Sequence, residues 1–136
     1  MERRKILTAA AGAMGAVLLT GKGQAEDTCE TCSSECGDCS SACLACVTAC
    51  LEEMQADGKD RQKCIQLCLD CADICVAFSR ISARKGPMSN VIAQACAKAC
   101  DACAKECARH DDASCKACAE ECRRCAKACR AFAKQK

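Results

Sequence analysis

Cys29-Glu30-Thr31-Cys32-Ser33-Ser34-Glu35-Cys36-Gly37-Asp38-Cys39-Ser40-Ser41-Ala42-Cys43-Leu44-Ala45-Cys46-Val47-Thr48-Ala49-Cys50 carries seven cysteines whose gaps alternate three, four, three, four without a miss. That is the a/d seam of a heptad, the pattern that normally brings Leu, Ile and Val into a helix–helix core. Here the seam is made of thiols. As a helix the stretch is about 31 Å long, at 1.5 Å of rise per residue.

The device recurs three times. Cys64, Cys68, Cys71 and Cys75 share a second seam, which Phe78 continues. Cys96, Cys100, Cys103 and Cys107 form a third, with Val91 and Ile92 expected first on its inner side. Cys115, Cys118, Cys122, Cys125 and Cys129 form a fourth, extended by Phe132. The spacing predicts helices over about 28–55, 60–84, 89–109 and 112–134, all rich in the helix formers Ala, Lys, Glu and Arg. Asp27 with Glu30 suits a capping box at the first start. Asp57-Gly58 ends the first helix, and Lys85-Gly86-Pro87 ends the second through a left-handed Gly and a Pro. Asp111 or Asp112 opens the fourth.

Short turns make neighbours antiparallel. The expected fold is all-α, an up-down-up-down four-helix bundle with a cysteine-lined core, over residues 26–136. Lys98, Glu106, Lys116, Glu120 and Lys127 fall off the seams and read as a solvated outer face. Aligning the helices gives layers: Cys50, Cys64, Cys107, Cys115; then Cys46, Cys68, Cys103, Cys118; then Cys43, Cys71, Cys100, Cys122; then Cys39, Cys75, Cys96, Cys125. Beyond these, Phe78 and Ile92 meet Cys36 and Cys129, with Phe132 one layer further. One end is thus plugged by apolar groups. The other carries Met54 and the single histidine, His110.

Composition narrows the function. At 136 residues the chain is one domain. The net charge is +2, and residues 1–25 carry Arg3, Arg4, Lys5 and Lys22 against Glu2, leaving the rest near −1. Without basic excess or aromatic surface, nucleic acid is a poor partner. There is no Trp or Tyr and only two Phe. The remaining Leu, Ile and Val would hardly fill a four-helix core, so the cysteines must help hold the interior.

Residues 1–25 read as an export signal. Adjacent Arg3-Arg4 precede a weakly apolar run from Ala9 to Leu19, and Gly23-Gln24-Ala25 puts small residues at a cleavage site. The stretch resembles a twin-arginine signal, with Ile6 where Phe is commonest. The run is too short for a stable membrane span. The expected location is the periplasm or another extracytoplasmic compartment.

Four chemistries suit so many cysteines. A disulfide-stapled exported structural or redox protein fits the compartment. Against it, thiols stacked along one helix face cannot pair without strain, and pairs between helices must meet narrow geometry. Iron–sulfur runs are loop-forming and end in Cys-Pro, whereas the one Pro here, Pro87, adjoins no Cys. Zinc wants a compact set of four ligands, and the thiols far exceed a few such sites. Cu(I) is soft, selects thiolate and thioether, and is content with two or three sulfurs. Residues three or four apart lie about 5–6 Å apart on one face, within reach of a shared ion. With bridging thiolates the column could hold many Cu(I) ions, on the order of one per cysteine.

The pattern resembles the bacterial copper storage proteins, cysteine-lined four-helix bundles that hold many Cu(I) ions. The resemblance covers residues 28–130. It is closest in Cys96 to Cys129, where Cys103-Ala104-Lys105-Glu106-Cys107-Ala108-Arg109-His110 leads into Cys115-Lys116-Ala117-Cys118-Ala119-Glu120-Glu121-Cys122-Arg123-Arg124-Cys125. It implies that all twenty cysteines are Cu(I) ligands, with Met54 and His110 at the open mouth. It also implies a tetramer and, since the leader resembles that of the exported branch, a copper-accepting partner such as a methane monooxygenase. A second His common before the fourth helix in the family is replaced here around Ala113-Ser114. Met88, at the plugged end, reads as packing. With a single His, no catalytic triad or dyad can be assembled, so an enzyme is not expected.

Overall fold

The computed structural model describes residues 24–135. The twin-arginine leader assigned to residues 1–25 falls, but for its last two positions, outside the described residues. Four helices follow one another: α1 Gln24–Asp57, α2 Gln62–Ala83, α3 Ser89–Cys107 and α4 Ala113–Lys134. α1 packs on α2, α2 on α3, α3 on α4 and α4 back on α1, so the ring closes as a four-helix bundle with α1 and α3, and α2 and α4, on opposite corners. Thiol contacts give the directions. Between α1 and α4 the pairs are Cys32–Cys129, Cys39–Cys122 and Cys46–Cys115, one number rising as the other falls, so these helices are antiparallel. Between α1 and α3 they are Cys36–Cys96, Cys39–Cys100 and Cys43–Cys103, rising together, so these run parallel. No helix among the described residues is long and apolar enough to cross a membrane.

The turns use local chemistry. Gly58 takes a left-handed φ of 70°, and its N–H donates to the carbonyl of Met54 at 3.0 Å, closing α1. Asp112 caps α4, its Oδ2 accepting from the N–H of Cys115 at 3.3 Å. Two expectations fail. α1 begins at Gln24, so Asp27 lies inside the helix and not at its start. The left-handed residue after α2 is Lys85, with φ 53°, and not Gly86. Glycine is needed at 86 for space, since a Cβ there would stand 3.0 Å from Ile81 Cγ2.

The core is thiols and alanines. Ala97 and Ala104 of α3, with Ala119 and Ala126 of α4, are buried and let these helices approach closely, while Arg130 and Asp101 clasp the rim. At the closed end Phe78 is fully buried and meets Phe132 edge to face, ring centroids 5.0 Å apart at 85°. Such pairs contribute about 0.5–1.5 kcal/mol beyond their buried area. Because α2 and α4 are diagonal, the two rings cross the bundle axis and plug it. The inner side of α3 begins differently from expectation. Ala93 is fully buried, Ile92 is half-buried against the core, and Val91 is exposed.

Candidate metal centre

Nineteen of the twenty cysteines have no exposed surface; Cys29 alone is half-buried. All twenty are free thiols. The shortest sulfur–sulfur contacts, Cys32–Cys129 and Cys46–Cys115, are 3.3 Å, well beyond the roughly 2.05 Å of a disulfide. The disulfide-stapled alternative is therefore not what this core is. Contacts of 3.3 to 4.0 Å link Cys32, Cys36, Cys75, Cys96, Cys125 and Cys129 at the plug side and the remaining buried thiols, up to Cys50, at the mouth side. The set Cys39, Cys75, Cys100 and Cys125, with sulfurs within 4.8 Å of one another, joins the two into one column.

The layers within α2, α3 and α4 fall where the spacing puts them: Cys64–Cys107 at 3.5 Å, Cys68–Cys103 at 3.5 Å, Cys71–Cys100 at 3.5 Å and Cys75–Cys96 at 3.5 Å. α1 is shifted by one thiol from the expected register. Cys43, not Cys46, groups with Cys68, Cys103 and Cys118. Cys39, not Cys43, lies against Cys71, Cys100 and Cys122. Cys36, not Cys39, lies against Cys96 and Cys125. Cys32 joins the column through Cys129, and only Cys29 is left beside the plug. Five thiols then crowd the mouth, with Cys46 touching Cys50, Cys64, Cys107 and Cys115. The reason lies at the plug. In the expected register Cys36 would share a level with Phe78 and Ile92, and Cys32 would fall at Phe132. Two rings that already cross the axis leave no room there for those thiols.

These groups suit a soft ion. In sets such as Cys36, Cys96, Cys125 and Cys129, or Cys43, Cys68, Cys103 and Cys118, the sulfurs all lie within 4.8 Å of one another and are buried. Neighbouring sets share members or touch, so ions could be bridged from layer to layer. The thiols also tune one another. Cys32 is drawn down to about 5, first by hydrogen bonds with Cys129 and Cys36, which outweigh its burial. Cys50 is pushed up to about 11, by burial first. Cys71 and Cys118 are each lowered by hydrogen bonds with four thiols, whereas Cys122 and Cys100, amid the same network, are raised. A thiolate is favoured where several S–H groups point at it, and its donors are then held protonated. A column of mostly neutral thiols with a minority of acidic ones is the physical result, because many close buried charges are prohibitive.

At the mouth, His110 Nε2 meets Glu106 Oε2 at 3.2 Å. A carboxylate only accepts, so Nε2 carries the proton and Nδ1 is the nitrogen left for a metal. Arg109 donates to the other oxygen of Glu106 at 3.3 Å, and Lys63 Nζ lies 4.0 Å from it. Glu106, read from sequence as part of the solvated face, is buried. The signal was available: Glu106 precedes His110 by four residues, about one helical turn, at the end of α3. Met54 is half-buried one turn beyond Cys50. Sequence reasoning also passed over Arg61, buried at the head of α2, and the carboxyl pair Glu35–Glu121 between α1 and α4.

The comparisons with known proteins agree with this geometry. A family model described as copper storage protein matches residues 24–134. The cysteine-rich protein YhjQ of Bacillus subtilis (strain 168) is 40% identical over 70 residues, which is 52% of this chain and 65%, just under two thirds, of that protein's own length. The apo form of copper storage protein 3 from Bacillus subtilis superposes with a TM-score of 0.69 at 39% identity, over 76% of this chain and 97% of that one. The Cu(I)-bound copper storage protein BsCsp3 gives 0.70 at 38% identity, over 78% and 98%. On its sequence, its bundle and its thiol core together, the chain belongs to the copper storage protein family.

Proposed function

We propose that the protein stores Cu(I) as clusters on the cysteine thiolates of the bundle axis and gives it up to copper-requiring proteins. The observation that carries this reading is the unbroken column of nineteen buried free thiols. Each Cu(I) displaces thiol protons, which leave to solvent. Two thiolates on one ion carry net charge −1. With every thiolate bridging two ions the ratio approaches one to one and the column approaches neutrality. That arithmetic sets the capacity on the order of twenty ions. Cys29 to Cys129, all twenty, are the proposed ligands, with His110 Nδ1 and the Met54 thioether as transient ones at the mouth. The chain acts as a store and not as an enzyme, in keeping with its family.

Three further assignments are ours. The Arg3-Arg4 leader supports export by the twin-arginine route to the periplasm, as a folded bundle whose thiols are shielded. The exposed apolar residues Leu44 and Leu51 on α1, and Leu69 and Val76 on α2, support assembly into a homo-oligomer, a tetramer by resemblance. A methane monooxygenase is the kind of copper acceptor the exported branch suggests.

An anaerobic titration with Cu(I) against a competing chelator tests the central reading. We expect saturation near one ion per cysteine. Saturation after one or two equivalents would overturn storage.

A further inference from the structure

His110 is the only histidine in the chain, and it is held where the thiol column ends. Its backbone N–H donates to the carbonyl of Cys107 at 3.1 Å. Asp112 accepts from the N–H of Cys115 at 3.3 Å, and His110 and Asp112 share the wall of a bowl of about 440 Å³. The ring's Nε2 lies 3.2 Å from Glu106 Oε2, while Nδ1 has no hydrogen-bond partner among the described residues. Glu106 is 7% exposed, and a glutamate is almost never so buried unless it is paired. Here both oxygens are engaged. Oε2 takes the ring; Oε1 accepts from Arg109 Nη1 at 3.3 Å and faces Lys63 Nζ, across on α2, at 4.0 Å. Glu121 supplies the contrast. It too is buried and accepts from an arginine three residues on, Arg124, yet its Oε2 has no partner. At Glu106 that second oxygen is spent on His110.

We propose that Glu106 is the positioning residue of the copper entrance: it holds the His110 ring by Nε2–H, so that Nδ1 is the one donor offered to incoming Cu(I). The proposal rests on the storage reading above and on His110 as a transient ligand. A free imidazole ring has two tautomers and two flip states. The Glu106 bond selects one combination, which raises the competent fraction by up to about fourfold. The carboxylate also lends electron density through Nε2–H, which makes Nδ1 the better donor. Arg109 and Lys63 keep Glu106 in place from the other oxygen. Glu106 itself touches no thiol, so it acts on the rate of capture through the ring alone.

The single histidine makes the test direct. Proton–nitrogen NMR of the apo protein at about pH 8, where an imidazole is normally neutral, should show an Nε2–H proton kept from exchange by its buried acceptor, and an unprotonated Nδ1. Glu106→Gln retains a carbonyl acceptor and should keep that signal. Glu106→Leu should lose it. In anaerobic stopped-flow loading with the Cu(I)–acetonitrile complex, Glu106→Leu should capture copper about tenfold more slowly than wild type, with Glu106→Gln between them. In a His110→Ala background, Glu106→Leu should add no further slowing, because the two residues act as one unit. A wild-type ring protonated at Nδ1 would overturn the proposal. So would Glu106→Leu slowing capture as much without His110 as with it, which would mark Glu106 as merely structural; storage would stand in either case. A wild type that binds only one or two ions would overturn storage, whatever the ring signals show.

Discussion

At one end of the column Phe78 meets Phe132 edge to face across the axis; at the other, Arg61 and His110 lean in on hydrogen bonds to Asp57 and Glu106. The first closure is apolar packing, which no single bond change opens. The second is polar, and each bond in it can be exchanged for water. A tube closed by packing at one end and by hydrogen bonds at the other has a direction. The plug is the end to test for stability, and the mouth is the proposed end for traffic.

The largest effect should follow from attacking the plug. Phe78→Ala removes a fully buried ring and should cost the apo protein about 3–5 kcal/mol, read by urea unfolding. Met54→Ala combined with His110→Ala, both half-buried at the mouth, should change stability by less than about 1 kcal/mol and slow initial copper loading instead. Equal losses of stability from the two variants would erase the contrast between the ends.

A second prediction concerns the plug-side half, where Glu35 of α1 faces Glu121 of α4. Burial first, then the Glu35 carboxyl, raises Glu121 from 4.5 to about 7, against the opposing pull of Arg124. A carboxyl raised in the folded state binds its proton more tightly there than in the unfolded chain. Its contribution is full below 4.5 and is lost as the pH rises through 7. The melting temperature of the apo protein should therefore fall between about pH 5 and pH 8, and Glu121→Gln should flatten that fall. A slope unchanged by Glu121→Gln would place the pH dependence elsewhere.

The smallest effect should come from Cys29. It is the one cysteine outside the sealed column. Cys29→Ala should lower copper capacity by about one ion and leave loading through the mouth at its wild-type rate. A loss of several ions would mean that the column extends past the plug.

Much of this was legible in the spacing. Alternating gaps of three and four fix helices and a common seam, and three of the four helices sit in the register their cysteines imply. The α1 register was not legible, because a heptad of identical residues fits as well one thiol up or down. What decides it is volume at the Phe78–Phe132 crossing, which spacing does not encode. Val91 and Ile92 were placed inside on hydrophobicity alone, while the helix turns Ala93 fully inward, leaves Ile92 half-buried against the core and exposes Val91. Charged residues were harder still. Off-seam position made Glu106 look solvated, but the groove between two helices also lies off the seam. Arg61, in a turn with no periodicity, gave no sign that it would fold inward. Both capping errors, at Asp27 and Gly86, came from local motifs that a longer helix and a crowded turn overrode.

One consequence of the plug is optical. Phe78 and Phe132 are the only aromatic side chains in the chain, and they sit together at the far end from the mouth. Their weak ultraviolet emission has no tryptophan or tyrosine to drown it. The chain's Phe signal therefore reports on the plug end alone, a built-in probe set at the far end from the mouth.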